Sequence, residues 1–196
     1  MIDDSFNKKQ YENYLQDYLD SNTDEHVGGG TAQTRVSLLK KYLPLKSTIF
    51  EIGSGGGEDA LALQQTGYKV ICSDFSEKFV EVLQSKNLSA ILFDAIQDDL
   101  PENIDAMYAN AVFVHFLPEE LKVFLHRAKN KLQNNKIIYF SVIKGEGNER
   151  KTSKSGFERD FQYYTQELLT KILSQEQIEI LELRFIDKWI QIVAHA

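Results

Sequence analysis

Apolar residues follow two rhythms along the chain. Short runs rich in β-branched and aromatic residues at 48–52, 69–73, 90–93, 104–109 and 136–143 predict strands. Their near-continuous hydrophobicity predicts parallel strands buried on both faces. Between them, 58–66, 76–85 and 118–132 carry apolar residues at three- and four-residue intervals, the spacing of helices with one apolar face. Ser76 suits an N-cap and Pro118 a first helical position, so both helix starts have a local cause. Strands and helices alternating through short connections predict an α/β fold, a mostly parallel sheet with helices on both faces in three α-β-α layers. The end of the chain breaks the rhythm. Segment 165–176 reads as a helix, and 178–186 and 189–195 read as strands separated only by Asp187-Lys188. So short a connection admits only an antiparallel pair, and a C-terminal hairpin is expected. Two further helical segments, 6–19 and 31–43, flank Val27-Gly28-Gly29-Gly30 ahead of the first strand. They are expected to form an N-terminal helical cap, 1–45, on a core spanning 46–196.

Composition narrows the function classes. A chain of 196 residues, 42% hydrophobic and 26% charged, has the size and make-up of one globular domain. Its net charge of −7, without a dense Lys/Arg stripe, argues against nucleic acid as a partner. No apolar stretch approaches the ~20 residues of a membrane span, and Met1-Ile2-Asp3-Asp4 lacks a basic signal-peptide start, so a cytoplasmic protein without a membrane partner is expected. Cys72 is the single cysteine, which excludes internal disulfides and multi-cysteine zinc sites; its place in Val70-Ile71-Cys72 predicts packing rather than chemistry. No metal site is expected.

A glycine loop, Gly53-Ser54-Gly55-Gly56-Gly57, lies between the first predicted strand and the helix after it. In that context Gly53 permits a tight turn, Gly55 lets a ligand approach the backbone, and Gly57 brings helix against strand. The dinucleotide spacing would require glycine at 58, where Glu58 stands. Glu58 and Asp59 at a helix N-terminus oppose a pyrophosphate, but oppose much less a ligand with a cationic centre and an amino-acid end, such as S-adenosylmethionine. Asp74, about 20 residues beyond Gly53, is placed to accept two ribose hydroxyls, a device that nicotinamide sites share.

These residues resemble those of the class I S-adenosylmethionine-dependent methyltransferases, and the resemblance extends over nearly the whole chain. Glu51-Ile52-Gly53-Ser54-Gly55-Gly56-Gly57 is similar to their first motif, Cys72-Ser73-Asp74-Phe75-Ser76 to their second strand end, Leu92-Phe93-Asp94-Ala95 to the third and Ile104 through Ala111 to the fourth. Ala109 through Phe116, Ser141 through Gly147 and Phe161 through Thr165 resemble a small bacterial branch of the superfamily. The resemblance implies a Rossmann-like, seven-stranded sheet and S-adenosyl-L-methionine as cofactor. It places Glu51, Gly53, Ser54, Gly55 and Asn110 toward the methionine part, Asp74 on the ribose, Phe75 beside the adenine, and Asp94 and Ala95 on the adenine edge. Where the family has Lys-Pro-Gly-Gly before its fifth strand, this chain has Gln133-Asn134-Asn135-Lys136, in which the asparagines can still turn the chain. The Asn/Asp-Pro-Pro-Tyr/Phe motif of enzymes that methylate base or glutamine amino groups is missing, as is the prolyl-cysteine of cytosine C5 enzymes.

Methyl transfer from a sulfonium is an in-line displacement, so positioning carries most of the catalysis and a base is optional. His115, after the fourth strand, is the candidate base for an acceptor that must lose a proton, or else a histidine packed near the cofactor. His126 and His195 read as structural or surface residues, and His26 as a residue of a solvated loop or of a lid. Segment 144–160 reads as a long loop, which either borders the acceptor pocket, with Arg159 and Tyr163 or Tyr164 touching substrate, or is a solvated excursion with Tyr163 and Tyr164 packed as core. Tyr11 and Tyr14 on the first helix can pack as an aromatic stripe or close over the cofactor. The expectation is a methyltransferase acting on a small-molecule acceptor, as a monomer or homodimer. The alternatives are a non-catalytic S-adenosylmethionine-binding protein, a methyltransferase of proteins or other macromolecules, and a nicotinamide-dependent oxidoreductase on a similar sheet.

Overall fold

A computed structural model of the chain describes residues 4–21 and 27–196. The sheet is built as the alternating pattern dictates, from β1 (Thr48–Ile52), β2 (Lys69–Asp74), β3 (Ala90–Leu92), β4 (Ala106–Ala109) and β5 (Ile137–Lys144), which pair in parallel in the order β3-β2-β1-β4-β5. The expected terminal hairpin is present: β8 (Glu179–Ile186) turns through Asp187, at φ 53°, into β9 (Trp189–His195), and β9 pairs antiparallel with β5. Period-two alternation sends Phe50, Met107, Ile138 and Ile192 into one apolar layer and Ile49, Tyr108, Tyr139 and Val193 into the other, so the central strands are buried on both faces.

One layer receives α3 (Ala32–Leu39) and α4 (Glu58–Thr66), whose residues Leu39 and Leu63 pack beside Ile49 and Tyr108. The other receives α6 (Pro118–Lys131) and α7 (Gln166–Gln175) through Leu121, Phe124, Leu169 and Ile172. Pro118 stands in the first turn of α6 as expected, and Thr165 caps α7 by accepting from the Leu168 amide at 3.1 Å. Ser76 occupies the N-cap position of α5 (Glu77–Ser85), but its hydroxyl caps nothing; its own amide donates to Asp74 instead.

Two expectations change. Segment 6–19 divides at Tyr14 into α1 (Asp4–Asn13) and α2 (Leu15–Ser21). Segment 144–160 is no open loop: β6 (Asn148–Thr152) and β7 (Glu158–Tyr164) form an antiparallel hairpin, giving a nine-stranded sheet in place of seven. Ile143 pairs with Trp189 of β9 along one edge and with Tyr163 of β7 along the other, the edge that β4 occupies lower down. The hairpin therefore continues the sheet beyond the end of β4 and stands over the carboxyl ends of the central strands. Among the described residues no helix is long and apolar enough to cross a membrane.

Candidate active site

Parallel register sets Ile52, Ser73 and Ile91 at a common level, so the residues that follow β1 to β4 converge on one rim at the point where the strand order reverses. A cavity of about 620 Å³ opens there, floored by the strand ends and covered by α1, α2 and β7. Gly53 and Gly55 line it with φ of 63° and 52°. A Cβ at Gly53 would stand 2.6 Å from Val112 Cγ2, so side-chain-bearing residues are excluded there by space as well as by backbone angle.

Asp74, 5% exposed, ends β2 inside this cavity. One carboxylate oxygen accepts from the Gly55 amide and the other from the Ser76 amide, each at 3.1 Å. Burial pushes the carboxyl up to about 6, against the opposing pull of those amides. Asp94 accepts from the Ile96 amide at 2.9 Å and from Gln97, and thereby shapes the turn after β3. Arg127, reaching up from α6, donates to the carbonyls of Ala95, Ile96 and Asp98 and fixes the same turn from below. Phe75 lines this end of the cavity, with its ring 5.8 Å from that of Tyr11 in an edge-on contact.

Next to the glycine loop lies a buried polar network. Arg35, 2% exposed, binds Asp59 at 2.8 and 3.0 Å and donates to the carbonyls of Val27 and Gly30. The other Asp59 oxygen accepts from Asn110 Nδ2 at 2.9 Å, and Asn110 Oδ1 accepts from the Ser141 hydroxyl at 2.7 Å. Gln191 donates to the carbonyls of Gly28 and Gly29. A single carboxylate thus ties α3, the start of α4, the end of β4 and the strap of residues 27–30 together. This corrects the expectation that Glu58 and Asp59 both confront a ligand: Asp59 is neutralised by Arg35, the half-buried Glu58 lies 3.9 Å from Lys86, and neither lines the cavity.

The opposite end of the cavity is formed by His115, Arg159 and Phe161. His115 Nδ1 lies 2.7 Å from the Asp160 carbonyl and Nε2 3.0 Å from the Tyr11 hydroxyl. A carbonyl only accepts, so Nδ1 carries the proton and Nε2 accepts from Tyr11. Burial holds the imidazole down to about 4, so it is neutral at physiological pH. Helix α1 is pinned over this end because Asn7 and Gln10 accept from the Asp160 and Glu158 amides, along the edge of β7 that β6 leaves open.

Gly53, Gly55, Asp74, Phe75, Asp94, Ala95, Asn110, His115 and Arg159 are thus brought together around one cavity. Four other expected site residues stand outside its lining. Glu51 lies buried beneath the glycine loop, where burial and the nearby Asp59 raise its carboxyl well above the usual range. Ser54 braces that loop by accepting from the Ser73 amide at 3.2 Å. Tyr164 is fully buried and donates to the Phe116 carbonyl at 2.7 Å, while Tyr163 donates to Glu149 on the hairpin. Neither tyrosine lines the cavity, and Tyr164 packs as core, the second of the two readings. His126 pairs with Glu176 at 2.9 Å on the surface, and His26 lies outside the described residues. The sequence reading did not reach Tyr18, Arg35 or Arg127, and it named Ser141 within a motif without giving it a role. Tyr18 carried a signal, the aromatic spacing of the first helical segment; the two arginines carried none, because their partners are remote in the chain.

The methyltransferase domain family matches residues 50–140. No curated protein matches the sequence. Among solved structures, the 1,6-didemethyltoxoflavin-N1-methyltransferase of Burkholderia thailandensis, crystallised with 1,6-didemethyltoxoflavin and S-adenosylhomocysteine, superposes with a TM-score of 0.76 at 16% identity over 97% of this chain and 87% of its own. The CcbJ methyltransferase of Streptomyces caelestis gives 0.77 at 15% identity over 97% and 98%. The magnesium protoporphyrin IX methyltransferase of Synechocystis, with bound S-adenosylhomocysteine, gives 0.69 at 19% identity over 98% and 97%. At these identities the likeness is one of fold. The methyltransferase-domain match covers the glycine loop and the strand ends that build the cavity, and the solved methyltransferases share the fold around it.

Proposed function

We propose that this protein transfers a methyl group from S-adenosylmethionine to a small-molecule acceptor and releases S-adenosylhomocysteine. The observation that carries the reading is a single covered cavity with the glycine loop, Asp74 and Asp94 at one end and His115 and Arg159 at the other. The residues fit the cofactor on their own geometry. Each Asp74 oxygen has one backbone donor and keeps capacity for one more, which suits two ribose hydroxyls. Phe75 and the Asp94 turn offer an apolar wall and a carboxylate to a purine, and Gly53 and Gly55 leave room for close backbone approach. When bound, the cofactor supplies an electrophilic methyl group.

The remaining work falls to this chain's residues. In this reading the cover made by α1, α2 and β7 limits the acceptor to a small molecule, and 1–45 cap a core of 46–196. The network of Arg35, Asp59, Asn110 and Ser141 holds the strap and the end of β4 in fixed relation, so that acceptor and donor atoms meet near ~3–3.5 Å. His115, neutral and hydrogen-bonded through both nitrogens, orients Tyr11 and β7 at the acceptor end; a proton it receives resides on Nε2 once Tyr11 turns away. Calorimetric titration with S-adenosylmethionine, S-adenosylhomocysteine and NADH, followed by an acceptor screen that reads S-adenosylhomocysteine formation, tests this. Micromolar binding of the first two compounds and turnover with at least one small acceptor are expected. Tight binding of NADH alone overturns the cofactor, and cofactor binding with turnover only on proteins or ribosomes overturns the acceptor class.

A further inference from the structure

Four of the five arginines in the chain have oxygen partners: Arg35 binds Asp59, Arg127 three carbonyls, Arg150 Asp160 and Arg184 Glu182. Arg159 differs. It lines the cavity, and among the described residues neither a carboxylate nor a carbonyl bonds its guanidinium. Its neighbours are the rings of Phe157, Phe161 and Tyr11, at 4.4, 5.2 and 6.0 Å from the guanidinium carbon. Its Nε is a buried donor without an acceptor. The Tyr11 hydroxyl is also within hydrogen-bonding reach of the guanidinium; the aromatic faces attract the cation, but they do not use its remaining N–H groups. The fork of a guanidinium matches the oxygen pair of a carboxylate or a phosphate.

The charges along the cavity are also segregated. Asp74 and Asp94, the lining carboxylates, stand at the ends of β2 and β3, with Lys8 facing Asp74. Lys188 lies toward the other side of the sheet, at the start of β9, and Arg159 lies above the end of β4. Once the carboxylates are engaged by a nucleoside, the acceptor end is left positive. We infer that the methyl acceptor carries an anionic group, a carboxylate or phosphate on a flat apolar body, and that Arg159 binds this group within its aromatic frame while Lys188 faces it from the cavity wall. The inference rests on the methyltransferase reading and adds the acceptor's charge and shape to it.

The test is calorimetric titration of the protein saturated with S-adenosylhomocysteine, using benzoate, salicylate, indole-3-acetate and phenyl phosphate beside the matching neutral amides. At least one anion is expected to bind tenfold or more tightly than its amide, and the carboxylate and phosphate arms tell the two oxyanions apart. Arg159→Met should erase that preference while affinity for S-adenosylhomocysteine stays within about twofold, and Arg159→Lys should retain part of it. Amides that bind as well as the acids, silence across the whole panel, or an unchanged preference in Arg159→Met overturns the inference. Failure of S-adenosylhomocysteine itself to bind would instead overturn the methyltransferase reading.

Discussion

Acidification probes the Asp74 contact more directly than truncation does. Desolvation lifts this carboxyl to about 6 from an ordinary value of 3.8, although the Ser76 and Gly55 amides pull the other way. The folded protein therefore holds the proton more tightly than the unfolded chain. Its stability falls as pH rises through that window, and the gap of about two units corresponds to roughly 3 kcal/mol at ~1.4 kcal/mol per unit. Ribose hydroxyls donating to the carboxylate favour its ionised form and draw its titration downward in the complex. Affinity for S-adenosylhomocysteine should be full above about pH 7 and decline below about 6, reaching a loss of about tenfold, or ~1.4 kcal/mol, one unit lower. Asp74→Asn should flatten the profile and weaken binding at neutral pH by on the order of 1.5–3 kcal/mol, the range for hydrogen bonds to a charged group. Calorimetric titrations of both proteins across the range from about pH 5 to pH 8 decide the matter. A wild-type profile as flat as that of the variant, or binding that strengthens on acidification, refutes the contact.

Other expectations follow from named contacts. Arg35→Met strands the Asp59 carboxylate in a buried site and should lower stability by about 3–5 kcal/mol in chemical denaturation, whereas the double variant with Asp59→Leu should lose clearly less than the sum of the single changes. Tyr164→Phe leaves the Phe116 carbonyl without its donor and should lower stability by about 1–3 kcal/mol, with cofactor affinity unchanged by calorimetry. Tyr11→Phe removes the donor to His115 Nε2, so the imidazole should titrate above the wild-type value of about 4 when its ring protons are followed by NMR. Gly53→Ala meets Val112 at 2.6 Å in a left-handed backbone and should weaken S-adenosylhomocysteine binding at least tenfold.

What the sequence made legible were features whose cause is local. The buried strands announced themselves as apolar runs, the terminal hairpin as strands too close to cross over, and Gly53 and Asp74 as a glycine loop and an acid at strand ends. The β6–β7 hairpin escaped because its apolar rhythm is absent: β6 reads Asn-Glu-Arg-Lys-Thr and is exposed throughout, while the buried face of β7 is Asp160, Gln162 and Tyr164. Each of those polar groups is satisfied by a specific bond, Asp160 by Arg150, Gln162 by the Gly147 carbonyl and Tyr164 by the Phe116 carbonyl. Hydrophobic periodicity has no access to such a core. The pairing of Arg35 with Asp59 escaped for a related reason: 24 residues separate the partners, and neither stands in a motif.

The hairpin joins the central sheet only through the last two residues of β5, Ile143 and Lys144, yet it carries Arg159 and Phe161 into the cavity. In the proposed function the nucleoside is met by the ends of β1 through β4 and their loops, whereas the acceptor is met by His115, Tyr11 and this ribbon, which joins the sheet through two residue pairs. Substitutions on that ribbon can rewrite which molecule is chosen while the scaffold beneath stays constant. In the proposed function, an engineer seeking a new acceptor would change that ribbon first.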